Sequence, residues 1–135
     1  MPIMNWTDAY SVGIAEIDNQ HRKLIEMINT MHDAMIKGQA KAVMDKILDD
    51  MISYCASHFA TEERLFSQHG YPDAAEHKDK HHKMTTKVLE LQTQFKQGKA
   101  TITFDVMDFL QQWLDKHILG TDKKYGPFLN SKGVK

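Results

Sequence analysis

The stretch Met51-Ile52-Ser53-Tyr54-Cys55-Ala56-Ser57-His58-Phe59-Ala60-Thr61-Glu62-Glu63-Arg64-Leu65 decides how the rest of the chain reads. Met51, Tyr54, Cys55 and Leu65 recur at helical steps, the period of one buried helix face. His58 and Glu62 fall on the same stripe. The pattern extends over a segment from Lys41 to Gln68 that also carries Met44, Ile47 and Leu48.

Three more segments repeat it. Asp18 to Lys37 carries His21, Leu24, Ile25, Ile28, Met31, His32 and Met35. Pro72 to Lys96 carries His77, His81, Met84, Val88, Leu91 and Phe95. Phe104 to Leu119 carries Val106, Phe109, Leu110, Trp113, Leu114 and His117. Gly38, Gly70, Gly98 and Gly120 punctuate these segments as helix-stop and turn signals. Asp18 and Thr103 are expected N-caps, and Pro72 an expected first helical position. No stretch alternates like a strand. Amphipathic helices with short connections predict an all-α fold, an antiparallel up-down-up-down four-helix bundle.

The expected organisation is a single domain over 1–135. A non-helical N-terminal arm covers 1–17, the bundle 18–119, and a C-terminal turn and Lys-rich solvated tail 120–135. Trp6, Tyr10, Val12 and Ile14 carry enough apolar surface to hold the arm against the bundle.

The chain has 135 residues, 41% of them hydrophobic, which suits one domain with a core. Its 17 Lys and Arg against 18 Asp and Glu give a net charge of −1 and no basic excess for nucleic acid. No apolar run approaches the roughly 18 residues of a membrane span, so an integral membrane protein is not expected. Met1-Pro2-Ile3-Met4-Asn5-Trp6 lacks a basic region followed by an apolar run, so no signal peptide is expected. Cys55, the single cysteine, excludes an internal disulfide and points to a reducing, cytoplasmic setting. Core packing is its expected role. The unusual count is histidine, at eight against seven glycines.

His21, His58, His77, His81 and His117 lie on the stripes with the leucines and methionines, as does Glu62. An unpaired buried carboxylate costs several kcal/mol or stays protonated. No Lys or Arg falls on the stripes near these positions, and a bound cation would neutralise it. His58 with Glu62, and His77 with His81, are i,i+4 pairs, roughly 5–6 Å apart at Cβ on one helix face. If Gly120 ends the fourth helix, Asp122 turns back toward His117. In an up-down-up-down bundle all these positions share one end. Five nitrogen and two oxygen ligands exceed one tetrahedral zinc. They suit two octahedral-leaning metals bridged by the carboxylates, and imidazole with carboxylate suits iron. His32 lies eleven residues beyond His21, about 16 Å along a helix, and is expected to be structural. His69 and His82 are expected to face solvent.

These residues resemble the hemerythrin family, and within it the single-domain bacterial members, over essentially the whole chain. The matching motifs are Trp6…Tyr10-Ser11-Val12-Gly13, Ile17-Asp18-Asn19-Gln20-His21, His58-x-x-x-Glu62, His77-x-x-x-His81 and Trp113-Leu114-x-x-His117-Ile118 followed by Asp122 and Tyr125. The resemblance implies two non-haem Fe ions, cycling between Fe2+ and Fe3+. His77, His81 and His117 would hold one, and His21 and His58 the other. Glu62 and Asp122 would bridge them, with an oxo or hydroxo group as third bridge. The two-histidine iron then keeps a position open for O2.

The implied function is reversible O2 binding as a carrier or store, not an enzyme. Phe59, Trp113, Leu114 and Ile118 are the expected wall of a pocket that withholds water and protons. An O2 or redox sensor is a rival, but sensor versions are usually fused to signalling domains. A di-iron oxidase or peroxidase is another, but oxidising di-iron bundles typically use Glu-x-x-His pairs, and none occurs here. O2 is the expected partner, with transient contact to an O2-consuming enzyme, and the expected state is a monomer.

Overall fold

The apolar periodicities become helices in the structure, a computed structural model that describes residues 4–38, 41–98 and 104–135. A 3-10 turn at Asp8–Tyr10 precedes α1 (Ala15–Ile36), α2 (Lys41–His69), α3 (Ala74–Lys96) and α4 (Phe104–Lys116). A π-helical segment, His117–Asp122, then leads into α5 (Lys123–Ser131). No strand occurs among the described residues. The stripe positions Met44 and Val106 and the expected cap Thr103 fall outside the described residues and side chains. α1 packs against α2 and α4, and α2 against α3. These four form the bundle.

The buried side chains separate into two apolar groups. The larger contains Leu24, Ile28, Met51, Met84, Leu110 and Leu114 and fills the body of the bundle. The smaller contains Val12, Ile14, Ile17, Leu65, Phe66, Tyr125 and Leu129. It joins the arm and α5 to the ends of α1 and α2. On α1, His21 stands between Ile17 of the smaller group and Leu24 of the larger. On α2, His58 and Glu62 stand between Met51 and Leu65.

Five local features differ from the sequence expectation. Gly120 does not stop a helix, because the chain passes through it in the π-helical segment and continues as α5. The segment 120–135 is therefore largely helical, although Lys132 and Lys135 are exposed as expected. The i→i+5 spacing of a π turn sets residue 122 over residue 117. In an α-helix, at about 100° per residue, the two would point roughly 140° apart.

Asp18 does not cap the first helix. α1 begins at Ala15, and its N-cap, Ile14, has no side-chain cap bond. Asp18 turns back to the arm instead. Its carboxylate accepts the Ser11 hydroxyl at 2.6 Å and the Val12 N–H at 2.9 Å. Pro72 lies before α3, not within it. It occupies a turn closed by Ala74 N–H donating to the Tyr71 carbonyl at 3.2 Å, where its fixed φ fits the second turn position.

The arm is not wholly non-helical, since it contains the 3-10 turn and the first residues of α1. It does lie over the bundle. Val12 and Ile14 are buried, and Trp6 and Tyr10 are half-buried against the larger group. Asn29 and the Met4 backbone exchange hydrogen bonds of 3.0 and 2.8 Å, Arg22 stacks over Trp6, and the Tyr10 hydroxyl donates to Asp115 at 2.6 Å.

Gly126 lets α5 sit against this arm. A Cβ there would stand 2.4 Å from the Val12 carbonyl oxygen, a backbone atom with no rotamer to yield. Gly126→Ala is expected to lower the unfolding free energy by about 1–3 kcal/mol in urea melts, the usual cost of overpacking. Gly120→Ala, where no atom stands within 4 Å of the added carbon, should leave it unchanged or raised. Equal losses at both positions would contradict this packing.

Candidate metal centre

Each helix delivers its polar side chains to one end of the bundle. His21 comes from early α1, His58 and Glu62 from late α2, His77 and His81 from early α3, and His117 and Asp122 from the π-helical segment. All are buried, and His21, Glu62 and Asp122 have no exposed surface. Asp122 Oδ1 lies 2.9 Å from His77 Nε2 and 3.0 Å from His117 Nε2, and its Oδ2 lies 3.0 Å from His21 Nε2. Glu62 Oε1 lies 3.1 Å from His58 Nε2 and 3.2 Å from His81 Nε2.

These contacts have hydrogen-bond distances but not hydrogen-bond directions. Nε2 of His21, His77, His81 and His117, Oε1 of Glu62 and both oxygens of Asp122 are buried without a hydrogen-bond partner. Unsatisfied buried polar groups are rare and costly. So many converging on one space fit a cation that would satisfy them together. The donors fall into two overlapping groups, each with ligand atoms within 4.8 Å of one another. One holds His77, His81 and His117, the other His21 and His58, and both include Glu62 and Asp122. Imidazole and carboxylate donors in this ratio fit two iron ions. The structure thus brings together all seven side chains expected from the sequence.

Electrostatics agree. Among the described residues, the ion-pair partners of Glu62 and Asp122 are all histidines. Burial and the charge of Asp122 push the Glu62 carboxyl up, but His58 and His81 outweigh them and hold it at about 2. Burial likewise pushes Asp122 up, and the proximity of His117, His21 and His77 brings it well below the usual carboxylate range. Both carboxylates are therefore ionised and available as ligands. The Tyr125 hydroxyl donates to Glu62 Oε2 at 2.5 Å. Burial and the charges of Glu62 and Asp122 hold that phenol well above its ordinary value, so it remains a donor.

Two supporting contacts fix ring tautomers. His58 Nδ1 donates to Gln20 Oε1 at 2.6 Å. The amide is oriented by its NH2, which donates to Thr61 Oγ1 at 3.4 Å. His81 Nδ1 donates to Glu63 Oε2 at 3.2 Å. In both rings Nε2 keeps its lone pair for the centre.

An apolar cavity of about 40 Å³ adjoins the centre. Phe59, Trp113 and Leu114 line it. Ile118 is fully buried nearby but does not line it. Leu24, one turn after His21, does, and so do Ile28, Met84 and Cys55. Phe59 follows His58 in sequence, yet its ring stacks on His81, with centroids 3.9 Å apart and planes at 10°. Trp113 stacks on His117 at 4.4 Å and 12°. His32 is half-buried and outside the donor groups. His82 is exposed as expected, whereas His69 is half-buried, not solvent-facing.

The comparisons with known proteins match this geometry. Residues 12–129 fit the family model described as Hemerythrin HHE cation binding domain. The chain belongs to the hemerythrin family. It is 36% identical to the bacteriohemerythrin of Methylococcus capsulatus, over 97% of this chain and 100% of that one. It is 38% identical to the bacteriohemerythrin of Stenotrophomonas maltophilia, over 93% of this chain and 80% of that one. The crystal structure of a wild-type hemerythrin superposes with a TM-score of 0.90 at 36% identity, covering 94% of this chain and 98% of that one. As a hemerythrin whose donor groups are intact, the chain is a di-iron, O2-binding protein. No helix among its described residues is long and apolar enough to cross a membrane.

The sequence places Leu24 on a core stripe and Gln20 and Tyr125 in the matching motifs, but it assigns no site role to these three or to Glu63. The available signal was adjacency. Gln20 flanks His21 but serves His58 on the next helix, and Glu63 flanks Glu62 but serves His81 on the next. Successive helical residues point about 100° apart, so a polar neighbour of a ligand faces the adjoining helix. Cys55 packs in the cavity wall, where burial pushes its thiol up to about 12. Folded protein at pH 8 should therefore react with iodoacetamide on the order of a thousandfold more slowly than the urea-unfolded chain, following the thiolate fraction. Comparable rates, read by mass spectrometry, would contradict that burial.

Proposed function

We propose that this hemerythrin is a reversible oxygen carrier or store and not an oxidising enzyme. The observation that carries this reading is the division of five histidines into three and two about a shared pair of carboxylates. His77, His81 and His117 would hold one iron, His21 and His58 the other, and Glu62 and Asp122, common to both groups, would serve both. When bound, the irons supply the electrons and the open coordination position that O2 requires. The chain supplies everything else.

Glu62 and Asp122 offset the cations' charge inside the bundle, and Tyr125 holds Glu62 by its second oxygen. Gln20 and Glu63 keep His58 and His81 aimed through Nε2. Phe59, Trp113 and Leu114 give the ligand a wall with no carboxylate, imidazole or amine among its described residues. An apolar cavity tends to stay dry, and a dry wall without an acid withholds the protons that O–O cleavage consumes. Ile118, fully buried, belongs to the same apolar group as Leu114. With one half-buried cysteine, the protein suits a reducing cytoplasm. It acts as a monomer that meets an O2-consuming enzyme transiently.

The test is iron content followed by gas cycling. About two irons per chain and repeated recovery of the deoxy absorbance between O2 and vacuum are expected. One-way oxidation with release of peroxide or water would overturn the carrier reading. His77→Ala and His117→Ala should each lose iron by elemental analysis, and full retention would contradict the ligand assignment.

A further inference from the structure

The two sides of the centre differ in what lies behind their histidines. On the three-histidine side, His81 Nδ1 donates to a carboxylate, Glu63, at 3.2 Å. On the two-histidine side, His58 Nδ1 donates to the neutral amide of Gln20 at 2.6 Å. His21, also on that side, has a fully buried Nδ1 with no hydrogen-bond partner. The one charged acceptor behind these three rings therefore stands on the side proposed to be coordinatively complete.

A carboxylate accepting the Nδ1 proton of an imidazole draws that proton toward itself and leaves more electron density on Nε2. An amide oxygen, carrying only a partial charge, does so much less. Such outer partners set ligand basicity and commonly change metal affinity. More basic ligands favour the higher oxidation state of the metal they hold. Glu63 is about one-third exposed, whereas Glu62 has no exposed surface. Burial at His81 and the stacked Phe59 ring keep water from competing for the Nδ1 proton.

We propose that Glu63 is a positioning residue that acts through His81 to lower the reduction potential of the di-iron centre, while Gln20 leaves the O2-binding side electron-poorer. The placement confines the ligand that best supports ferric iron to the closed side. It keeps the open side biased toward the ferrous state that O2 binding uses. This rests on the ligand assignment proposed above, with His81 on the three-histidine iron and His58 on the other.

Glu63→Gln and Gln20→Glu exchange the acceptor type at nearly constant shape. In the iron-loaded protein, Glu63→Gln should raise the reduction potential and slow autoxidation severalfold, both read per bound iron. Gln20→Glu should lower the potential and hasten autoxidation. Glu16→Gln is the control. It removes a half-exposed carboxylate, paired with Arg64, from the same end of the bundle without touching a histidine. Its potential should match wild type.

A shift at Glu16→Gln equal to that at Glu63→Gln would overturn the proposal, since the effect would then be one of general charge. So would an unchanged potential in Glu63→Gln with iron retained. In the iron-free protein, 15N NMR of the ring nitrogens should show the proton of His81 on Nδ1, and a proton on Nε2 instead would equally overturn it. Wild-type protein that binds no iron would instead defeat the di-iron reading, so the two failures are distinguishable.

Discussion

Glu62 and Asp122 bring two carboxylates into the same end of a helical bundle, with no exposed surface on either. Removing such groups from water costs several kcal/mol each unless a counter-charge is built around them. Here the surrounding groups are imidazoles, one or more from each of the first three helices and one from the segment after the fourth. The carboxylates can be satisfied only when those elements stand in register, and iron is the partner that satisfies carboxylates and imidazoles together. The fold and the metal site are one constraint. The same atoms that bear the cost of burial position the helices.

The polar layer lies between two apolar ones. Toward the body of the bundle, Leu24, Met84 and Leu114 close over it and leave a small apolar cavity. Toward the arm, Ile17, Phe66 and Tyr125 close the other side. The layers explain why a chain of ordinary composition needs its arm and α5. Without Val12, Ile14 and Leu129, the site would open to water on the side where Tyr125 meets Glu62. Asp18 and Gly126 fasten that cover, one by accepting the Val12 N–H and the other by leaving room for the Val12 carbonyl.

How much of this could be read from the chain depended on how local each feature was. His58 with Glu62 and His77 with His81 were legible because one helix turn fixes their separation, whatever the tertiary fold. Asp122 reaches the cluster by a route the sequence does not show, because the chain widens into a π turn at Gly120 where a glycine signals a stop. Glycine signals a break on average, and nothing local distinguishes a break from a widened turn. The ring of Phe59 stacks on His81 across the helix interface, a contact that its place beside His58 in the chain does not show. Gln20 and Glu63 were passed over because their partners lie on other helices.

By itself the sequence determined the helical class, the polar residues that had to share one end, and the donor set that called for iron. Each follows from periodicity, spacing and side-chain chemistry, which act within a turn or two. Only the tertiary structure decided how Asp122 reaches the cluster and which carboxylate oxygen faces which ring. It also decided that one supporting acceptor is a carboxylate and the other an amide. Those outcomes depend on directions of approach between helices, and a side chain's direction across an interface is set by packing, not by its position in the chain.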